Sequence, residues 1–465
     1  VHGEIPKHRV PWGLLAIAGW AILGPLAFAS AQEPSLKNVD RVDVGLLHDN
    51  LAALEIRLSL ARNACCSINI VSFEVHDDDT TGQVMAELLA ARQRGVRVRL
   101  LTDGHLGGNA IPKALMSYLI GQGIEIRERP VDVRYQVEVG RPRLHDKLWI
   151  VDQEHLVIGG RNLTQRYFGL GSQVAVDRDL YVRGAVATQA SQYFESRWSE
   201  CIAGQPSLTR VERPRIQNRQ SHPQWDGQAG SQADCQIVHW LDAVRQHPLL
   251  ARSWGCAMDF PIQSVSNEHI QLLHDSVGKN KSACTAIAAR VHRILNHARH
   301  SIDIETPYLV VTQTMRQILV AAAKRGVRVR ILTNSLETTD KRIVHAGYAN
   351  QRRWMLRSGI ELYEFRGQDF LHAKAMIVDG RLAMVGSYNF DVLSENRNSE
   401  VAVLVSDFAF AEQLQRSFQS HLCHSGQIEL RGLAGLEARE NRDTPDALRQ
   451  YRLLRLPALI AKPFL

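Results

Sequence analysis

Two stretches of the chain spell one pattern. "LHDKLWIVDQEHLVIGGRNLT" (144–164) and "LHAKAMIVDGRLAMVGSYNFD" (371–391) each place a His, one residue, a Lys, four residues, an Asp, and then Gly-Gly or Gly-Ser ahead of an Asn. The surroundings repeat too. "RQRGVRVRLLTDG" (92–104) precedes the first copy and "AKRGVRVRILTNS" (323–335) the second, while "CCSINIVSF" (65–73) is echoed by "RHSIDIETPY" (299–308). Self-similarity over so long a period signals a duplicated domain rather than a stack of short repeats. That constrains the fold more than any other feature, because the second half must rerun the plan of the first.

The plan itself is α/β. Residues 46–63 space apolar side chains as a helix does, and "SINIVSFEV" then reads as a buried strand. A helix follows through "TGQVMAELLAARQRG", with Asp79 as its expected cap, and "VRVRLLTD" is a second strand. The first His-Lys strand comes next, then "DLYVRG", then "VATQASQYFESRWSE" as a closing helix. Strands alternating with helices imply a mixed or mainly parallel sheet covered on both sides. The 465 residues divide accordingly. We expect a leader at 1–40, a first domain at 41–205, a linker or insertion at 206–283, a second domain at 284–425 and a tail at 426–465. The leader, "KHRVPWGLLAIAGWAILGPLAFASAQEP", has a basic start, an apolar run and small residues at Ala29–Ala31, the pattern of a cleaved signal peptide; an uncleaved membrane anchor is the rival reading.

Composition adds little beyond bounds. Forty-five per cent hydrophobic and 22% charged residues is ordinary for a globular chain. A net charge of +7 suits an anionic lipid surface, a nucleic acid or a phosphate site, and alone selects none of them. The seven cysteines include no CxxC pair, so a structural zinc site is not expected. Export would permit a disulfide involving Cys235, Cys256 or Cys284, with connectivity open.

The repeated motif carries the chemistry. On a strand, His145 and Lys147 point to one face, as do His372 and Lys374. Two such pairs meeting across a pseudo-twofold axis make a pocket fit for a phosphodiester. Lysines and the carboxamides of Asn162 and Asn389 would hold its oxygens. One imidazole would attack phosphorus and the other protonate the leaving oxygen, a division of labour suited to histidine's intermediate pKa. Each ring needs a partner on its other nitrogen, and the best candidates are Asp179 in "DRDLYV" and Glu400 in "NSEVAV". Asp152 and Asp379 belong to the same motif by spacing. Strand alternation puts them on the opposite face, which favours a pairing or turn-capping role.

This doubled H-x-K…D…G-[SG]-x-N pattern resembles the phospholipase D superfamily. More narrowly, "GGRNLTQRYF" (159–168), "VDRDLYVRG" (176–184), "LTNSLETTDKRIVHAGYANQRRWMLRSGIELYEF" (332–365) and "GSYNFDVLSENRNSEVAVLV" (386–405) are similar to bacterial cardiolipin synthases of the phospholipase D type, in their third class. The resemblance spans about residues 44–425. It implies two tandem phospholipase D-like α/β/α domains with pseudo-twofold symmetry, one shared active site, and neither metal nor cofactor. It makes His145 and His372 nucleophile and general acid in an order left open. Lys147, Lys374, Asn162, Ser387 and Asn389 become phosphate ligands, and Asp179 and Glu400 orient the histidines. Gly160 stands where the motif more often has Ser, and no lipobox cysteine is evident.

The implied activity is transfer of a phosphatidyl group to phosphatidylglycerol, forming cardiolipin, with phosphatidylglycerol or phosphatidylethanolamine as donor. A phospholipase D releasing phosphatidic acid, a nuclease and a non-catalytic membrane scaffold are the rivals. Against nucleic acid, no aromatic-interleaved basic tract of the kind that tracks a strand is present. The expected partners are phospholipids and a membrane surface, at the periplasmic face of a bacterial inner membrane, or outside the cell if the leader is cleaved.

Other features read as structure. "HDDD" (76–79) is expected at a helix start, His155 at the surface, and "GHLGGN" (104–109) lacks the GK[ST] of a nucleotide loop. Arg97, Arg99, Arg328 and Arg330 alternate with valines on an exposed or interface side. Ser335, Thr338, Thr339, His345 and Tyr348 are candidates for the pocket or for helix packing.

Overall fold

A computed structural model describes residues 41–103, 111–129, 142–171, 173–203, 231–245, 260–275 and 284–429, with positions 453, 454 and 457 near the C-terminal end. The leader at 1–40, the glycine-rich loop at 104–109, Cys256 and most of the tail lie outside the described residues.

The duplication is visible strand by strand. In the first half, Ser67–Ser72, Arg97–Asp103 and Glu125–Arg129 run parallel. On the other side of Ser67–Ser72 come antiparallel neighbours: Leu148–Val151, His155–Gly159, Asp179–Arg183 and Arg41–Leu47. The second half repeats this with Ser301–Glu305, Arg328–Asn334 and Glu361–Phe365 in parallel, followed outward by Ala375–Val378, Leu382–Gly386, Val401–Val405 and Ile270–His274. The first sheet has nine strands and the second eight. Two differences from the sequence reading concern the edges. Residues 41–47 form a strand, and the helix begins only at Asn50. The segment expected as linker holds the helix Ser231–Arg245 and two edge strands, Ile262–Ser266 pairing with Arg41–Leu47 and Ile270–His274 pairing with Val401–Val405.

Central strands such as Ala375–Val378 are buried at every position, which follows from apolar runs sandwiched between layers. Inner faces of both sheets share one core. Ile158, Leu180 and Val182 of the first pack with Val385, Val401 and Val403 of the second, while the outer faces carry their own helices and cores. Backbone crosses the boundary as well: Ala175–Val176 pairs in parallel with Phe370–Leu371. Arg178, fully buried, forms an ion pair with Glu305 of the other half, and its guanidinium also donates to Ser417 Oγ at 2.9 Å.

Caps and turns account for several polar residues. Asp78, rather than Asp79, caps the helix Asp79–Gln93 by accepting from Thr81 N at 2.9 Å. Arg99 pairs with Glu195 of the helix Ala185–Glu200 and donates to Asn69 on the next strand, and Arg330 grips Asp303 through two nitrogens, so these arginines bind neighbouring elements of their own half. Ser335 and Thr338 bond one another in a buried turn. His345 accepts from Arg352, which pairs with Glu364, so these groups serve packing of the helix Arg342–Arg357. His155 opens a strand and meets the Tyr181 hydroxyl at 2.8 Å. Cys235 is a free thiol. Among the described residues, no helix is long and apolar enough to cross a membrane.

Candidate active site

His145 and His372 each stand just before a central strand of their sheet, Leu148–Val151 and Ala375–Val378 respectively. The backbone that fixes them belongs to the opposite half. His145 N donates to Ser399 O at 3.1 Å, and His372 N to Val176 O at 2.8 Å. The rings are held by the same exchange. Glu400 of the second half takes His145 Nδ1 between its two oxygens, at 2.8 and 3.0 Å. Asp177 of the first half meets His372 Nδ1 at 2.7 Å. With Nδ1 engaged by a carboxylate, each imidazole keeps Nε2 on its other side, which fixes the tautomer and the aim of the ring.

Asp177 replaces Asp179 in the sequence assignment. Asp179 is fully buried against Arg57 and Arg161, at 2.8 and 3.2 Å, and braces the first half. The reason lies in strand register. Gly159 pairs with Asp179, whereas its counterpart Gly386 pairs with Ala402, so the position matching Glu400 lies two residues earlier, at Asp177. The motif's glycine follows from the same geometry. A Cβ on Gly160 would lie 2.3 Å from Asp177 Oδ1, so the shorter acid reaches its histidine only over a bare backbone. In the second half the equivalent Ser387 donates its hydroxyl to Glu400 at 2.5 Å, joined by Ser394 at 2.6 Å.

Lys147 Nζ donates to His145 O at 2.7 Å, and Lys374 Nζ to His372 O at 2.5 Å. Lys374 also lies 3.1 Å from His372 Nε2. Burial drives the Lys374 ammonium down to about 7 and lowers Lys147 likewise. Burial also lowers both imidazoles well below the usual histidine range, and each lysine acts on both rings, which places all four groups around one centre. Glu400 is raised by the same desolvation, against the pull of Lys147. An incoming phosphodiester anion would favour the cationic lysines and an imidazolium. Asn162 and Asn389 are buried, and their Oδ1 atoms have no hydrogen-bond partner among the described residues.

Asp152 and Asp379 lie away from this centre. Each sits at positive φ and accepts from three backbone N–H groups: Cys65, Cys66 and Ser67 for Asp152; Arg299, His300 and Ser301 for Asp379. Burial works to raise both carboxyls, yet those donors hold them below the usual range. They fasten the start of the neighbouring parallel strand in each half and are not catalytic groups by position.

Tyr167 was not foreseen. Its hydroxyl lies 3.4 Å from His372 Nε2, and receives hydrogen bonds from Asn162 Nδ2 at 3.3 Å and Arg166 at 3.1 Å. Its counterpart is Ser394, so the two histidines have different surroundings. Phe73 packs edge-on to His145, 5.2 Å between centroids.

Comparison with known proteins agrees with this geometry. The profile of the family described as "cardiolipin synthase, PLD-like domain" matches residues 58–198 and 291–422, one segment per half. Cardiolipin synthase C of Escherichia coli is 28% identical over 419 residues, covering 83% of this chain and 86% of its own. Cardiolipin synthase 1 of Bacillus anthracis is 25% identical, covering 84% and 68%. A solved phosphatidylserine synthase of Haemophilus influenzae shares the fold at a TM-score of 0.66 with 16% identity, covering 92% of this chain and 98% of that one. With a family match in each half and both His-Lys pairs gathered at one centre, the chain belongs to the cardiolipin synthase group of phospholipase D-like proteins.

Proposed function

We propose that this phospholipase D-type phosphatidyltransferase makes cardiolipin, through a phosphohistidine, from phosphatidylglycerol and a second phospholipid. The observation that carries the reading is the exchange of carboxylates between halves, which holds two imidazoles at one centre with two lysines. His145 is assigned the attack. Among the described residues no hydrogen bond reaches its Nε2, whereas Nε2 of His372 is flanked by Lys374 and the Tyr167 hydroxyl.

In the first step, His145 Nε2 bonds to phosphorus as the bond from phosphorus to the headgroup oxygen breaks. That oxygen takes a proton from the His372 imidazolium. In the second, the glycerol hydroxyl of phosphatidylglycerol gives its proton back to His372 while its oxygen displaces the histidine nitrogen. No proton is lost or gained over the cycle, and the bond energy is kept for the acceptor. Lys147 and Lys374 offset the charge that grows on the phosphoryl oxygens. The signal-like leader supports action at the periplasmic face of an inner membrane, which cell fractionation tests.

The deciding experiment gives purified protein vesicles of phosphatidylglycerol, with and without phosphatidylethanolamine, and identifies products by mass. Cardiolipin is expected. Phosphatidic acid alone would identify a hydrolase, and DNA cleavage without lipid turnover a nuclease. Labelled phosphatidylglycerol should leave acid-labile label on the protein, and His145→Ala should abolish it.

A further inference from the structure

The His, Lys and Asn groups are twofold-symmetric, so they cannot by themselves distinguish one lipid alcohol from another. Discrimination must come from departures from symmetry beside the reacting atoms. One cluster of such departures lies on the His372 side. Glu74 and Tyr308 are counterparts, each at the carboxyl end of its half's first parallel strand, in a turn closed by a hydroxyl: Ser72 Oγ to Glu74 O at 2.7 Å, Thr306 Oγ1 to Tyr308 O at 2.9 Å. One is an acid and the other a phenol. Arg166 stands where the second half has Leu393.

These groups meet. Arg166 lies 3.7 Å from Glu74 Oε2 and 3.8 Å from Asp340 Oδ2, and the Tyr308 hydroxyl donates to Asp340 Oδ1 at 2.8 Å. Arg166 also donates to the Tyr167 hydroxyl that touches His372, and the Tyr308 ring lies 6.5 Å from the His372 ring. The arrangement is incompletely satisfied. Glu74 Oε2 and Arg166 Nε are buried and lack hydrogen-bond partners among the described residues. The Glu74 and Asp340 side chains keep 12% and 11% of their surface and Arg166 keeps 30%, so the two carboxylates are largely shielded from water while the guanidinium is partly open to it. Carboxylate acceptors beside guanidinium and phenol groups match an alcohol whose further hydroxyls both donate and accept. A ligand edge offering neither would leave those buried groups unpaired.

We propose that Glu74, Arg166, Tyr308 and Asp340 form the headgroup subsite, taking a short polyol such as glycerol and presenting its reacting hydroxyl to His372. The inference rests on the phosphatidyl-transfer reading and adds to it the residues that choose the alcohol.

The test lets glycerol and methanol compete for the phosphatidyl group in one reaction, with phosphatidylglycerol vesicles as donor. The ratio of phosphatidylglycerol formed from labelled glycerol to phosphatidylmethanol is read by mass. Because both products arise from one enzyme population, the ratio does not depend on how much of a variant folds. Asp340→Asn and Tyr308→Phe are each expected to lower the glycerol-to-methanol ratio at least fivefold. A ratio within twofold of the parent in both variants would overturn the assignment. If the parent makes phosphatidylmethanol but no cardiolipin, the synthase reading fails, and the same ratio still decides the subsite.

Discussion

At the scale of single residues, Asp177 and Asp179 separate two roles that look interchangeable in "DRDLYV". Asp177→Asn replaces the carboxylate beside His372 Nδ1 with a neutral amide that no longer fixes the tautomer or balances an imidazolium, so kcat should fall by about 10²- to 10⁴-fold with KM little changed. Asp179→Asn should act mainly on stability, costing about 3–5 kcal/mol by leaving Arg57 and Arg161 buried without their counter-ion. Steady-state kinetics beside urea unfolding would separate the two, and equal losses of kcat would contradict the assignment. Gly160→Ser should lower kcat at least roughly tenfold, since the new Cβ collides with Asp177 and swings it off His372; an unaffected rate would show that the ring needs no such brace. The pH profile follows from burial. As pH rises through about 7, Lys374 loses its proton and with it the charge proposed to hold the phosphoryl oxygens, so kcat/KM should decline on the alkaline side. On the acid side, Glu400, raised above the ordinary carboxylate range, takes up a proton and stops orienting His145, so kcat/KM should fall there too. Glu400→Gln should remove that acid limb.

At the scale of elements, spacing and pairing carry different amounts of information. His145, Lys147, His372 and Lys374 could be read from the chain because period-two alternation is local and the duplication displays it twice. The same alternation put Asp152 and Asp379 on the far face, where they hold the strands Ser67–Ser72 and Ser301–Glu305 by three N–H groups each. Asp379→Ala should therefore lower stability by about 1–3 kcal/mol while leaving KM unchanged. Asp379→Asn, which tolerates the positive φ and keeps one acceptor oxygen, should cost less. Urea midpoints of the two variants check this, and a catalytic defect in Asp379→Asn without loss of stability would refute it. Asp177 was not legible because register depends on which residues of distant strands face each other, and matching "DRDLYV" to "NSEVAV" by sequence alone sets Asp179 against Glu400, two residues out of that register. The edge strands Ile262–Ser266 and Ile270–His274 were hidden for a related reason. Half-exposed strands beside a polar stretch show little alternation, and only pairing with strands far along the chain defines them.

At the scale of the whole molecule, neither half is a complete catalyst. Each histidine is aimed by the other half's acid, each motif's backbone is tied across the boundary, and one hydrophobic core fills the space between the sheets. Separating the halves would expose that core and strand Arg178 from Glu305, so the pairing within one chain should be permanent once folded. This has a kinetic consequence. His145→Ala and His372→Ala should each abolish transfer, and an equimolar mixture of the two purified variants should remain as inactive as either alone. Each variant chain would still have one imidazole for a step that needs two, and no partner chain can lend the missing one without opening the shared core. Recovery of even a quarter of the parent rate on mixing, measured as cardiolipin formed from phosphatidylglycerol, would mean that halves exchange between chains. The active site would then belong to a pair of molecules, and the exchanged carboxylates would be an intermolecular device.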